Sequence, residues 1–158
     1  MRKKEKQNKL IVILGPTATG KTKLAVKLAN KFAGEIISAD SRQVYRGMDI
    51  GTGKDLKEYQ GKKRIPYHLI DVLSPKTGFN VAKFQRLAYG AIDDVLKRGR
   101  QPFLVGGTGL YIDAVVKGYQ FPLEQSSVKN RKQVRQKLDE LSLSRLLVLL
   151  KKVDLKSY

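Results

Sequence analysis

The stretch Gly15-Pro-Thr-Ala-Thr-Gly-Lys-Thr22 brackets four residues between two glycines and follows them with a lysine and a hydroxyl. Residue types in that order can hold a phosphate. Gly15 and Gly20 let the backbone wrap an anion so that its N–H groups point inward, and a helix starting near Lys21 adds its positive end. Lys21 supplies a point charge to the phosphate oxygens, and the Thr22 hydroxyl is placed to hold Mg²⁺. Most chains with this pattern act on a nucleoside triphosphate, so the remaining residues must decide which phosphate is bound and why.

Asp40 is the second residue with a chemical reading. It stands in Ser38-Ala-Asp-Ser-Arg-Gln-Val-Tyr45, just past an expected strand end, where a carboxylate serves as a metal ligand, a general base or a helix cap. Position alone leaves the three open. Asp71, in Leu69-Ile-Asp-Val-Leu73, is the other acidic partner available to the phosphate loop, but it falls inside an expected strand and carries less weight. The single histidine, His68, cannot build a metal site alone and reads as structural.

The elements that must position these residues follow from periodicity. Leu10 to Leu14 is a short apolar run suited to a strand buried on both faces. Leu24, Ala25, Leu28, Ala29 and Phe32 recur at helical spacing, with Gly34 as the expected stop. Strands are expected at Glu35 to Ala39, Tyr67 to Leu73 and Phe103 to Val105. A long helix is expected from Val81 to Val95, closed by Gly99, and a shorter one from Leu110 to Lys117. Strands alternating with helices predict an α/β fold, a parallel sheet flanked by helices, with ligands beyond the carboxyl ends of the strands. Segments 15–22, 40–43 and 106–109 should therefore converge on one crevice. The expected organisation is a basic tail at 1–9, an α/β core at 10–118 and a helical segment at 119–158. Within the last, helices are expected at 127–141 and 143–153, with Ser142 as a cap. The first of these carries Lys129, Arg131, Lys132, Arg135 and Lys137, a basic face that is either solvated or anion-binding.

The chain has 158 residues and a net charge of +18, with the excess spread along its whole length. Such a field favours a polyanion, and a nucleic acid over a lone small anion, although charge alone names no ligand. The absence of cysteine excludes disulfides and thiolate metal sites. No apolar run approaches the roughly 20 residues needed to span a bilayer, so the expectation is an intracellular, cytoplasmic protein with no membrane partner.

Together, Gly15 to Thr22, Ser38 to Tyr45 with Met48-Asp-Ile-Gly51, His68-Leu-Ile-Asp71 and Gly106-Gly-Thr-Gly-Leu-Tyr111 resemble the tRNA dimethylallyltransferases, also called tRNA isopentenyltransferases. The resemblance implies a phosphate-loop NTPase-like fold. It also implies transfer of a dimethylallyl group from dimethylallyl diphosphate to the exocyclic amine of the adenosine beside the anticodon, with Mg²⁺. Carried over by position, Gly15, Thr17, Ala18, Thr19, Gly20, Lys21 and Thr22 hold the diphosphate, with Thr22 also on the metal. Asp40 accepts the amine's proton, and Thr17 acts beside it in catalysis. Asp40, Ser41, Arg42 and Gln43 contact the extruded adenosine and its neighbours, and Thr108 contacts tRNA near the channel mouth.

The same resemblance implies a chain about twice as long, in which 119–158 begins a tRNA-gripping helical insertion and a later arginine reaches the diphosphate. No residue here matches that arginine, so the chain is expected to be truncated after about the first half. Exposed Leu143, Leu146, Leu147 and Leu150 would then allow weak self-association of an otherwise monomeric protein. Three alternatives stand beside this reading: an adenylate isopentenyltransferase, a phosphate-loop kinase using ATP, and a non-catalytic RNA-binding remnant. The basic charge favours tRNA over a free nucleotide. The Ser38 to Tyr45 and Gly106 to Tyr111 segments favour the transferase over the kinase.

Overall fold

Four parallel strands form the sheet of the computed structural model, which describes residues 9–54, 56–61, 63–121 and 128–158. They are β1 (Ile11–Leu14), β2 (Gly34–Ser38), β3 (Tyr67–His68) and β4 (Gln101–Gly106), in the order β1-β4-β2-β3. The expected basic tail, save Lys9, lies outside the described residues. Between the strands run α1 (Lys21–Lys31), α2 (Val81–Lys97) and a 3₁₀ turn at Leu56–Gln60; α3 (Gly109–Val116) follows β4.

Period-2 alternation divides the core between the two faces of this sheet. Ile36, Phe103 and Val105 pack with Ala25 and Ala29 of α1, whereas Ile37 and Leu104 pack with Phe84, Ala88 and Ile92 of α2 and Ile112 of α3. Strands β2 and β4 are buried on both faces; β4 is accordingly apolar from Pro102 to Val105, whereas β2 also buries Glu35 and Ser38. Asn80 caps α2 by accepting a hydrogen bond from the Lys83 amide at 2.9 Å, and Gly99 ends it at a φ of 69°.

Local expectations fail in five places. The run Leu10 to Leu14, expected to be buried on both faces, forms an edge strand whose Val12 and Leu14 are exposed. The strand expected at Tyr67 to Leu73 stops at His68. Leu69 and Asp71 adopt positive φ, and the chain leaves β2 to hydrogen-bond with Gln43 and Val44 instead. Gly34 does not stop α1: Ala33 takes the left-handed conformation, and Gly34 opens β2. A β-carbon at Gly34 would sit 2.3 Å from the Phe103 ring, so close packing rather than a turn demands glycine there. Leu24 and Phe32 keep the helical spacing but are about half exposed, leaving the alanines to pack against the sheet. Ser142 occupies the N-cap position of its helix, yet its hydroxyl faces Ser144 Oγ at 3.3 Å rather than a helix amide.

Packing divides the chain into two units, Met1–Tyr119 and Gln120–Tyr158. The second contains α4 (Val128–Asp139) and α5 (Leu143–Val153). Leu143, Leu146, Leu147 and Leu150 line an apolar groove of about 410 Å³ with Leu138, Leu149 and Val153. Lys132, Arg135 and Lys137 are exposed, whereas the side chains of Lys129 and Arg131 lie outside the described residues. Among the described residues no helix is long and apolar enough to cross a membrane.

Candidate active site

The phosphate loop leaves β1 and returns as α1 through a backbone that only certain residues accept. Gly20 has a φ of 80° with nothing within 4 Å of where its β-carbon would stand, so glycine is required by conformation and not by space. Ala18 also takes a positive φ, 64°. Thr19 Oγ1 donates to the Pro16 carbonyl at 2.9 Å, and the Lys21 ammonium donates to the same carbonyl. The lysine is thereby folded back over the loop it serves.

Strand β2 delivers Asp40 two residues beyond its end. Asp40 Oδ1 accepts hydrogen bonds from the Arg42 amide at 2.8 Å and the Gln43 amide at 3.3 Å, closing a turn on one oxygen. Oδ2 makes no hydrogen bond among the described residues. The helix-cap reading fails, because residues 41–44 form a turn and no helix follows; Oδ1 holds that turn, and the carboxylate lines the cleft.

Strand β4 ends at Gly106, where a β-carbon would lie 2.2 Å from the Ala39 carbonyl oxygen. That approach lets the Thr108 amide donate to Ala39 at 3.3 Å and sets Gly107 against the Gly15 carbonyl. The three segments expected to converge do so. Thr17, Ala18, Lys21, Thr22, Asp40, Arg42, Gln43, Gly106 and Gly107 line one cleft of about 130 Å³. Gly15, Thr19, Gly20, Ser41 and Thr108 stand in the flanking segments and not in its lining.

A further wall was missed by sequence reasoning. Gly51, Thr52 and Gly53 also line the cleft, together with Ser38 and Tyr59. Gln43 ties this wall on: its Nε2 donates to the Gly53 carbonyl at 3.0 Å and the Thr52 carbonyl at 3.4 Å, while its Oε1 accepts from Ser38 Oγ at 3.0 Å. Lys54 clamps it from behind. Its side chain is 1% exposed, and its ammonium reaches Asp71 Oδ1 and the Tyr45 carbonyl, each at 2.5 Å, and Asp49 Oδ1 at 3.1 Å. Burial disfavours the ammonium, but the carboxylates of Asp71 and Asp49 outweigh it and hold the Lys54 pKa above the ordinary lysine value. Asp71, the other candidate acidic partner of the phosphate loop, is therefore committed to Lys54. Glycines at 47, 51 and 53, all at positive φ, were the visible signal of this loop; the burial of Lys54 had none.

His68 is structural, as expected. Its Nε2 lies 2.7 Å from Glu35 Oε2, on a carboxylate that also takes Arg98 at 2.7 Å and Arg100 at 3.6 Å, at the end of β2 away from Asp40. For a metal, Thr22 and Asp40 face one cleft, and among the described residues no group of three or more His, Asp or Glu side chains gathers to hold an ion. That donor set fits Mg²⁺ taken mainly by substrate phosphates and water, with one or two protein oxygens.

Residues 43–158 match the family model described as IPP transferase, and residues 8–75 match that described as isopentenyl transferase. The chain is 54% identical over 125 residues to tRNA dimethylallyltransferase 1 of Geotalea daltonii, covering 79% of this chain and 40% of that protein. It is 61% identical over 112 residues to tRNA dimethylallyltransferase 1 of Geotalea uraniireducens, covering 71% and 36%. Among solved structures, it is similar to the full-length tRNA isopentenylpyrophosphate transferase of Bacillus halodurans, with TM-score 0.69 and 45% identity, covering 96% of this chain and 49% of that one. A eukaryotic dimethylallyltransferase captured acting on tRNA matches with TM-score 0.76 and 34% identity, over 92% and 36%. The chain thus spans less than half the length of these relatives. With the phosphate loop, the Asp40 turn and the Gly106 crossing arranged on the fold those structures share, the chain belongs to the IPP transferase family.

Proposed function

We propose that this chain carries the donor and base elements of a tRNA dimethylallyltransferase. The enzyme moves a dimethylallyl group from dimethylallyl diphosphate to the exocyclic amine, N6, of the adenosine adjacent to the anticodon. The observation that carries this reading is the convergence of the phosphate loop and the Asp40 carboxylate on one cleft. Phosphoryl transfer can use the same pair, and the family match over residues 43–158 favours alkylation of a weak amine nucleophile.

The backbone amides of Thr17, Ala18 and Thr19, with Lys21, bind the diphosphate and stabilise the charge it gains on leaving. Thr22 would hold Mg²⁺, which neutralises phosphate oxygens when bound. The amine lone pair forms a bond to the allylic carbon, the carbon–oxygen bond breaks, and diphosphate departs with that electron pair. Asp40 takes the proton through the oxygen its turn leaves open. Thr17, on the cleft wall, orients the bridging end of the diphosphate.

Arg42 lines the cleft with no carboxylate at ion-pair distance among the described residues, so it serves an RNA phosphate. Ser41 and Thr108 flank the mouth as further RNA-binding groups. Gln43 has both amide hydrogens committed to the loop, so it offers the base a fixed wall. Unstacking the adenosine costs least in a single-stranded loop, which suits the anticodon. We place the reaction in the cytoplasm.

Labelled dimethylallyl diphosphate incubated with the chain, Mg²⁺ and unmodified tRNA tests this directly. Label should enter tRNA with wild-type protein and not with Asp40→Asn. Transfer to free adenosine monophosphate in preference to tRNA, or phosphoryl transfer from ATP without any allyl donor, would overturn it.

A further inference from the structure

Ile50 is 99% exposed, yet the loop that carries it is tethered on both sides. Behind it, the buried Lys54 ammonium joins Tyr45, Asp49 and Asp71. Thr52 Oγ1 donates to the Met48 carbonyl at 2.6 Å across the turn, and Gly47, Gly51 and Gly53 hold the left-handed backbone the turn requires. The next three residues, Gly51 to Gly53, line the cleft that contains Asp40. A polar side chain would serve equally for folding at a fully solvated tip. A β-branched one on fixed backbone has few rotamers to lose and so orders at little entropic cost when it meets a ligand.

We propose that Ile50 is an apolar wedge for RNA, packing against a nucleobase next to the one that enters the cleft and keeping the RNA loop open. The inference rests on the tRNA reading above. Its occupant is chosen by charge: the chain carries +18, and Arg42 stands without a carboxylate on the same cleft. A polyanion with exposed apolar base faces satisfies both the cations and the isoleucine. Apolar side chains inserted between bases hold steps unstacked in this way.

The test uses an anticodon stem-loop RNA with 2-aminopurine beside the target adenosine, whose fluorescence rises on unstacking. Wild-type protein should bind it and raise the signal. Ile50→Ala should bind about tenfold more weakly and lose most of the rise, and Ile50→Val, which keeps the β-branch, should restore most of both. Ile50→Ala should leave thermal unfolding and inorganic diphosphate binding unchanged, since the side chain supports neither. An Ile50→Ala protein within twofold of wild type in affinity and signal would overturn the wedge while leaving the tRNA reading intact. So would a loss confined to dimethylallyl diphosphate binding, which would assign Ile50 to the donor. Absence of RNA binding by the wild-type chain would instead remove the tRNA reading and the wedge together.

Discussion

At Asp40 one carboxylate oxygen forms the turn, and the proposed base role falls to the other, so substitution can separate the two. Asparagine keeps an oxygen to accept from the Arg42 and Gln43 amides but removes the negative charge; alanine removes both. Asp40→Asn should therefore unfold within about 1 kcal/mol of wild type while its single-turnover transfer falls roughly 10²–10⁴-fold, the usual contribution of a general base. Asp40→Ala should lose the same activity and about a further 1 kcal/mol of stability, the scale of a missing capping bond. Equal activity in Asp40→Asn and wild type would show that the carboxylate only holds the turn. Sequence alone located this residue because a carboxylate after a strand end is a recognisable position. It could not separate base from cap, which depends on where each oxygen points. Tyr111 illustrates what spacing hides. Its ring stacks on Phe84 at 4.4 Å, and burial first, then electrostatic repulsion from the neighbouring Tyr45 and Asp40, raises its hydroxyl pKa above the ordinary tyrosine value.

Between elements, the closest crossing decides whether Asp40 stands where it must. Gly106→Ala places a methyl 2.2 Å from the Ala39 carbonyl, and because that neighbour is backbone it cannot rotate away. The expected cost is about 1–3 kcal/mol, as for other overpacked sites, measured as a lower denaturation midpoint. Transfer should fall further than stability alone explains, because Ala39 precedes Asp40. At the other end of β2, Glu35 is 3% exposed. Burial would raise its carboxyl, but hydrogen bonds and charge from Arg98 and His68 outweigh that and hold it below its ordinary value of 4.5. A carboxyl lowered in the folded state stabilises in full above that value and loses its contribution as pH falls through the folded pKa. Urea midpoints of wild-type protein should accordingly drop below pH 4.5, whereas Glu35→Gln should start lower at pH 7 and show a shallower acid decline. The elements most legible in sequence were those whose burial dictates period, β4 and α2 from Val81 onward; β1 was located by its apolar run, but not its burial, because an edge strand leaves Val12 and Leu14 exposed. The 67–73 segment misled because its apolar run is completed by Lys54 and by loop carbonyls, partners separated from it in sequence and invisible to periodicity.

Over the whole molecule, +18 on 158 residues acts on a polyanion far more than on a diphosphate, since each neutralised phosphate of a nucleic acid releases a condensed counterion. RNA affinity should therefore fall at least roughly tenfold between 50 and 200 mM salt, with diphosphate binding changing much less. Asp40→Asn should bind RNA with an unchanged salt slope, because it alters chemistry in the cleft and not the set of phosphates the protein neutralises. In the second unit, exposed Lys132 and Lys137 have no carboxylate at ion-pair distance among the described residues, whereas Arg135 is 3.8 Å from Asp139. If that helix face binds RNA, Lys132→Glu with Lys137→Glu should reduce the slope by about one for each phosphate no longer held while leaving the 2-aminopurine response at saturation intact. A slope unmoved by the double substitution would return the face to solvent and leave the first unit's cations as the RNA-binding charge. Cations on phosphates set affinity and register but carry no base information, so the charge substitutions and Ile50→Ala should differ in kind. The former weaken all RNAs alike, and the latter weakens only those with an unpaired loop to open.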